Sequence, residues 1–340
     1  MGKDHQIQVF STAPQPCTVK PGAYLRHVAD VARWSENAGC RGILVYTDHS
    51  QLDPWLVSQV IIENTRSLSP LVAVQPVYMH PYTVAKLVAT LGCLYNRRVY
   101  LNMVAGGFKN DLASLDDNTP HDKRYARVTE YTRIIQELLM GPGAVSMSGE
   151  FYTVTNLRMT PPFDPGLCPG VFISGSSEAG TAAARELGAT AIQYPKPVDE
   201  CLAQPRQEGL DAGIRVGVIA RSTNAAAWRV AHERFPEDRK GQIAHRLAMK
   251  VSDSSWHHEL SEMASQTREK PSPYWLVPFE NYKTFCPYLV GSYEQVAQEI
   301  VRYVDAGFYT FILDIPADEE ELHHVGTTFE LALNKRNIAL

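Results

Sequence analysis

Residues 171–180 read Val171-Phe172-Ile173-Ser174-Gly175-Ser176-Ser177-Glu178-Ala179-Gly180, and they predict a buried strand that turns at once into a helix. The run from Gly170 to Ser174 lacks polar alternation, as strands covered on both faces do. Small residues, Thr181-Ala182-Ala183-Ala184, then carry the helix onward. The first turn of a helix leaves N–H groups without partners and carries partial positive charge. Gly175 allows close backbone approach, and the Ser176 and Ser177 hydroxyls can either donate to phosphate oxygens or cap the helix. An anion cradle and an ordinary serine cap are both open on this stretch alone.

The same strand–helix unit recurs along the chain. Apolar strands are predicted at Ile7–Ser11, Gly42–Thr47, Leu71–Val77, Arg98–Val104, Val171–Ser174, Thr190–Tyr194, Arg215–Ala220 and Thr310–Ile315. Helical patterns follow them at Ala23–Ala38, Pro54–Asn64, Thr83–Leu94, His121–Leu139, Glu178–Leu187, Val198–Gln204, Thr223–Arg234 and Glu319–Asn334. Eight such units favour an α/β fold of the closed (β/α)8 TIM-barrel kind over an open sheet. Two insertions interrupt the pattern: a hairpin near 144–160, and a lid-like region at 236–290 that is long, irregular, partly helical and rich in polar residues and aromatics. No linker or repeat divides residues 1–340, so a single domain is expected.

Composition narrows the function. A net charge of −5 argues against broad capture of nucleic acid. No run of roughly 18 apolar residues and no apolar leader is visible, which predicts a cytoplasmic protein without a membrane span. The six cysteines are scattered with no CxxC pair, neither a zinc site nor a disulfide framework, so no metal is expected.

Several motifs, taken in order, resemble one family. They are Ser67-Leu68-Ser69, His80-Pro81, Arg97-Arg98, Asn102-Met103-Val104-Ala105-Gly106-Gly107, His121-Asp122-Lys123-Arg124-Tyr125 and Gly175-Ser176-Ser177. Their order and spacing are similar to those of flavin-dependent luciferase-like monooxygenases, the bacterial luciferase and alkanesulfonate monooxygenase type, from about Ile7 to Leu333. The resemblance implies a flavoprotein oxidoreductase that binds reduced FMN (FMNH2) at the carboxyl ends of the barrel strands. It implies reaction of that flavin with O2 through a C4a-peroxyflavin, and supply of the flavin by a separate NAD(P)H:flavin reductase. A homodimer or homotetramer is the implied assembly. By the same resemblance Tyr125 with Ser176 or Ser177 holds the phosphate, Arg124 and His121 lie beside it, and Asp48, Asn102, Val104 and Gly175 contact the cofactor. Asp48 can equally cap the second helix, and Asn102 can be a strand-end turn residue.

The chain departs from the sulfonate-cleaving branch where that substrate needs fixed positive charge. Gln51 stands at the family's cysteine, Arg215-Val216-Gly217 lacks its histidine, and Tyr282 and Ile315-Pro316-Ala317 replace an arginine and a Tyr-Pro-His. An alkanesulfonate is therefore disfavoured. Tyr274, Trp275, Phe279, Tyr282, Phe285 and Tyr288 either line a site for a bulkier or carrier-tethered substrate, as in secondary metabolism, or pack the insertion onto the barrel. For acid–base work the candidates are His49 and His80, just past the second and third strands, with Gln75 facing the flavin. His80-Pro81 can also be only the turn into a helix. Cys17 is a weak pocket candidate. Two rival functions remain: hydride transfer with the deazaflavin F420, whose longer anionic tail would want more cations than Lys123 and Arg124, and non-catalytic flavin binding.

Overall fold

The computed structural model describes residues 6–16, 20, 22–106, 109–204, 208–249, 260 and 272–338. Cys17, Gly107 and most of 250–271 lie outside that set. Twelve strands form among the described residues: β1 Gln8–Thr12, β2 Gly42–Val45, β3 Ser69–Val74, β4 Tyr100–Val104, β5 Val145–Ser148, β6 Thr153–Leu157, β7 Gly170–Ser174, β8 Thr190–Gln193, β9 Ala212–Arg221, β10 Tyr274–Trp275, β11 Tyr288–Ser292 and β12 Phe308–Leu313. Eight of them run in the order β9-β12-β1-β2-β3-β4-β7-β8, and β8 pairs again with β9. This is the predicted closed (β/α)8 barrel.

Contacts group the chain into two units. The central unit, Ala13–Glu36 with Arg41–Ala191, holds β2, β3, β4 and β7 as parallel neighbours. Leu71, Val72, Leu101, Met103 and Ile173 in these strands are almost wholly buried, which is why the sequence shows no polar alternation there. The pairing Val104↔Ser174 brings the carboxyl ends of β4 and β7 level. The expected hairpin is present as antiparallel β5 and β6.

Local chemistry fixes where the helices of this unit begin. Asp53 accepts from the N–H groups of Trp55 and Leu56 at 3.0 Å each and caps Pro54–Glu63. His80 caps Pro81–Tyr95, with Pro81 in the first turn. Ser177 caps Glu178–Leu187, which ends at a left-handed Gly188.

The second unit gathers Met1–Thr12, Asn37–Cys40 and Ile192–Leu340. Here β12 pairs with β1 and with the first half of β9, while β11 pairs with the second half of β9. Ile214, Val216, Leu289 and Phe311 of those strands share one apolar cluster with Val296 and Ile300 of the helix Tyr293–Asp305 and Phe329 of Glu319–Ile338.

This unit corrects the sequence reading. The expected helical part of 236–290 is present as helix Arg239–Met249 and the short helix Val277–Glu280, but the stretch also carries β10 and the first residues of β11, which were not expected. A strand–helix pair, β11 with Tyr293–Asp305, was missed altogether. Its signal was present as a capping box, Ser292 with Gln295. Tyr274, Trp275, Phe279 and Tyr288 are buried in the apolar clusters of this unit, so they pack it. Tyr282 is partly exposed.

Candidate active site

The stretch that opens the chain's reading builds the tightest group in the central unit. The Tyr125 hydroxyl donates to the Ser174 carbonyl at 3.1 Å, and the Ser174 hydroxyl donates to Asn102 Oδ1 at 2.8 Å. Tyr125 projects from helix His121–Met140 onto the turn that leaves β7. Gly175 has φ +142°, and a Cβ there would sit 1.9 Å from the Tyr125 hydroxyl oxygen. Only glycine permits this approach. Burial holds the Tyr125 phenol above its ordinary pKa, against a hydrogen bond from Ser177 and the charge of Arg124, so it remains a donor. Its one proton is committed to Ser174, which makes it a brace for the turn.

Ser176 and Ser177 then divide the two roles left open by the sequence. Ser177 Oγ accepts from the Gly180 N–H at 3.2 Å, the ordinary cap. Ser176 Oγ is buried with no hydrogen-bond partner. A buried hydroxyl left unpaired costs about 1–3 kcal/mol, and a native fold keeps one where something else completes it. Ser176 precedes the N-terminus of a ten-residue helix, and the buried Arg124, which reaches the Thr119 carbonyl at 3.4 Å, lends its charge to the neighbouring Tyr125. This donor set fits a phosphate. His121 opens the neighbouring helix, 5.3 Å ring to ring from Tyr125, with Nδ1 on Asp122 at 2.8 Å.

Asn102 is buried inside β4 and is not a turn residue; Val104 ends that strand, half-buried. Asp48 does not cap the second helix, a task Asp53 performs. Its carboxylate accepts from the N–H and the hydroxyl of Ser50 at 2.7 and 2.6 Å. Gln75 is buried just past β3.

His49 belongs to a second group. Its Nδ1 lies 3.3 Å from Ser114 Oγ and 3.7 Å from Asp111 Oδ1, and its N–H donates to Asp111 Oδ2 at 3.4 Å. The Tyr78 ring lies 5.8 Å away, its hydroxyl buried and unpartnered. Burial, with the charges of Asp111 and Asp48, pushes the Tyr78 phenol up to about 12, so it stays protonated at neutral pH. Both Nδ1 neighbours leave Nε2 as the open ring nitrogen. Tyr78, Asp111 and Ser114 escaped the sequence reading. Asp111 and Ser114 stand three residues apart in the helix Lys109–Ser114, but no spacing links that pair to Tyr78 or His49.

His80 goes elsewhere. Its Nδ1 accepts from the Tyr82 N–H at 3.2 Å, which places its proton on Nε2, and its ring meets Tyr152 of the hairpin at 6.0 Å. The reading of His80-Pro81 as a helix entry is the one the fold uses. Lys123 pairs with Glu150 at 2.8 Å. Among the described residues no cluster of His, Cys, Asp or Glu suits a metal ion, and no helix is long and apolar enough to cross a membrane.

The other unit has its own buried polar group. Arg215 of β9 reaches the Tyr194 hydroxyl at 3.4 Å and Asp314 at 3.9 Å, and Asp314 accepts from the Tyr288 hydroxyl at 2.7 Å.

The closed (β/α)8 barrel defines the fold class, and the chain belongs to the luciferase-like monooxygenase family, whose profile matches residues 5–310. It is 34% identical over 307 residues to the 4-(gamma-L-glutamylamino)butanoyl-[BtrI acyl-carrier protein] monooxygenase BtrO of Niallia circulans, covering 88% of this chain and 89% of that one. Its fold is similar to that of the EDTA monooxygenase of Chelativorans sp. BNC1, with a TM-score of 0.73, 16% identity and coverage of 97% and 94%. An F420-dependent secondary alcohol dehydrogenase shares the fold at a TM-score of 0.64, 15% identity and coverage of 96% and 99%. The chain is a monooxygenase by this kinship.

Proposed function

We propose that this monooxygenase is the oxygenase half of a two-component system. It takes reduced FMN from a separate NAD(P)H:flavin reductase and oxygenates a small acyl group tethered to a carrier protein. The observation that carries the cofactor is the buried, unpartnered Ser176 hydroxyl at the mouth of helix Glu178–Leu187. Reduced FMN supplies the electrons with which dioxygen is activated for insertion of one oxygen atom into an organic substrate.

The chain's own residues do the rest. Ser176 and the helix N-terminus bind the phosphate, Ser177 caps that helix, and Arg124 offsets the charge. Tyr125 and Gly175 hold that turn in shape. Asn102, fixed by Ser174, and Gln75 offer amides to the polar edge of the flavin. His49 moves a proton at Nε2 while Asp111 and Ser114 orient its ring from Nδ1. Tyr78, kept protonated, is a second donor in the same group. Lys123 is already engaged by Glu150, which favours the shorter anion of FMN over the longer tail of F420. The relative's carrier-bound substrate supports the substrate class.

Anaerobic titration with FMN, reduced FMN and reduced F420, followed by admission of O2 and mass analysis of the acyl product, tests the reading. Selective binding of reduced FMN and a gain of one oxygen atom on a carrier-bound acyl group are expected. Preference for F420, or no reduced-flavin binding, would overturn it.

A further inference from the structure

We propose that the exposed face of the helix Arg239–Met249 docks an acidic helix of the carrier protein that delivers the acyl substrate. This inference rests on the carrier-tethered reading above. The helix reads Arg239-Lys240-Gly241-Gln242-Ile243-Ala244-His245-Arg246-Leu247-Ala248-Met249: three basic residues and no acid, in a chain of net charge −5.

Its packing settles which face looks outward. Gly241 lies so close to the Asn281 carbonyl that a Cβ would fall 2.1 Å from that oxygen. His245 is buried against Phe279 at 4.6 Å and stacks on Tyr282 at 5.7 Å. Asn281, wholly buried, accepts from Gln242 Nε2 at 3.0 Å and donates to the Pro236 carbonyl at 2.8 Å. Gly241, Gln242 and His245 thus face the protein, and at 3.6 residues per turn the opposite face carries Arg239, Lys240, Ile243 and Leu247, with Arg246 at its border.

That face is built like an interface and not like an ordinary solvated surface. Ile243 and Leu247, one turn apart, are 51% and 59% exposed and form an apolar ridge. Arg239 and Arg246 flank it on one side and Lys240 on the other, all exposed. Asp238, just ahead of the helix, is already paired to Lys283 at 2.8 Å, so it does not neutralise them. An apolar centre within a ring of one charge sign selects a partner with an apolar ridge and acidic flanks. Small carrier proteins, which present an acidic helix beside the thioester arm, have that chemistry.

The position suits delivery. Arg234, at the end of the helix before it, donates to the Ile315 carbonyl at 2.9 Å, just beyond β12. The Tyr274 hydroxyl donates to the Pro195 carbonyl at 2.8 Å, just beyond β8. Residues on either side of the helix in the chain are thus held at the carboxyl ends of β12 and β8, where barrels of this class place their chemistry.

The test uses the 4-(gamma-L-glutamylamino)butanoyl group on two supports, the Niallia circulans carrier BtrI and free pantetheine. Reversing the charges (R239E/K240E/R246E) is expected to raise KM for the carrier-bound substrate roughly tenfold or more and to leave the pantetheine thioester unaffected. The second variant, Ile243→Asp with Leu247→Asp, should behave alike. Reversal of the exposed Arg26 in the central unit should change neither, and added salt should weaken only the carrier-bound reaction. Equal kinetics of wild type and helix variants on the carrier, or equal losses on both supports, would overturn the docking face while leaving carrier delivery standing. If the wild type gains nothing from the carrier over pantetheine, the carrier-tethered reading fails, and this inference with it.

Discussion

The two ends of the strands in the central unit are built on opposite plans. At the amino ends of β3 and β4, Glu36 accepts from the N–H groups of Arg66, Ser67 and Leu68 at 2.6–3.0 Å and from the Ser67 hydroxyl at 2.9 Å. Arg97 closes the same corner by donating to the carbonyls of Leu68 and Thr65 at 2.9 Å. Although partial burial works the other way, these hydrogen bonds draw the Glu36 carboxyl down to about 2. At the carboxyl ends, the buried Ser176 and Tyr78 hydroxyls have no partners. One end is satisfied by itself and holds the fold; the other keeps hydroxyls open toward the ligand we propose. Motifs that together resemble one family therefore split: Ser67-Leu68-Ser69 and Arg97 are structural, and Asn102, Tyr125 and Gly175-Ser176-Ser177 belong to the site we propose.

The contrast can be broken most sharply at His49. His49→Asn, or Asp111→Asn, should lower kcat by roughly 10²–10⁴, the usual worth of a general acid or base, while reduced FMN binds as before. Stopped-flow binding with single-turnover product analysis separates the two effects. Gly175→Ala forces a methyl onto Tyr125 in a backbone region that other residues avoid. A loss of about 2–4 kcal/mol of stability and of measurable flavin affinity is expected, by thermal unfolding and fluorescence titration. Removing the obstructing hydroxyl in the double variant with Tyr125→Phe should recover part of the stability.

Ser176→Ala sharpens the comparison, because it should weaken reduced FMN about tenfold yet leave the free protein as stable or slightly more so, since an unpaired buried hydroxyl is removed. Glu36→Gln should do the reverse, lowering Tm by a few degrees with flavin binding unchanged. A carboxylate whose pKa is depressed by folding stabilises above its unfolded value and loses that contribution as pH falls. The Tm gap to wild type should be full above pH 4.5 and close towards pH 2.

Much of this was legible in the sequence because it is local. Gly170–Ser174 is apolar throughout since β7 is covered on both faces, and the serine cap of the next helix follows from chemistry within four residues. Strand β11 was hidden because Tyr288–Ser292 is short and follows aromatics that resemble lid residues, although Ser292 and Gln295 marked the helix after it. The site was legible only in part. Ser176 and Ser177 are adjacent, yet which one caps and which stays unpaired is decided by how Tyr125 pins Gly175. Asp111 and Ser114 are neighbours on one helix, but that pair meets His49 and Tyr78 only because β2, β3 and β4 lie side by side, and such a contact leaves no mark on spacing. His80 was readable either way, and its use as a cap depends on the backbone angle at the strand exit.

The central claim is that the turn after β7 holds a phosphate. Binding of reduced FMN and reduced riboflavin, which differ only in that group, measures it directly when wild type and Ser176→Ala are titrated anaerobically in parallel. Wild type is expected to prefer reduced FMN by at least about tenfold, with the preference shrinking in the variant while riboflavin affinity stays constant, as the loss of a charge-assisted hydrogen bond requires. Equal affinity of wild type for the two flavins, or a preference that survives the substitution intact, would contradict the account.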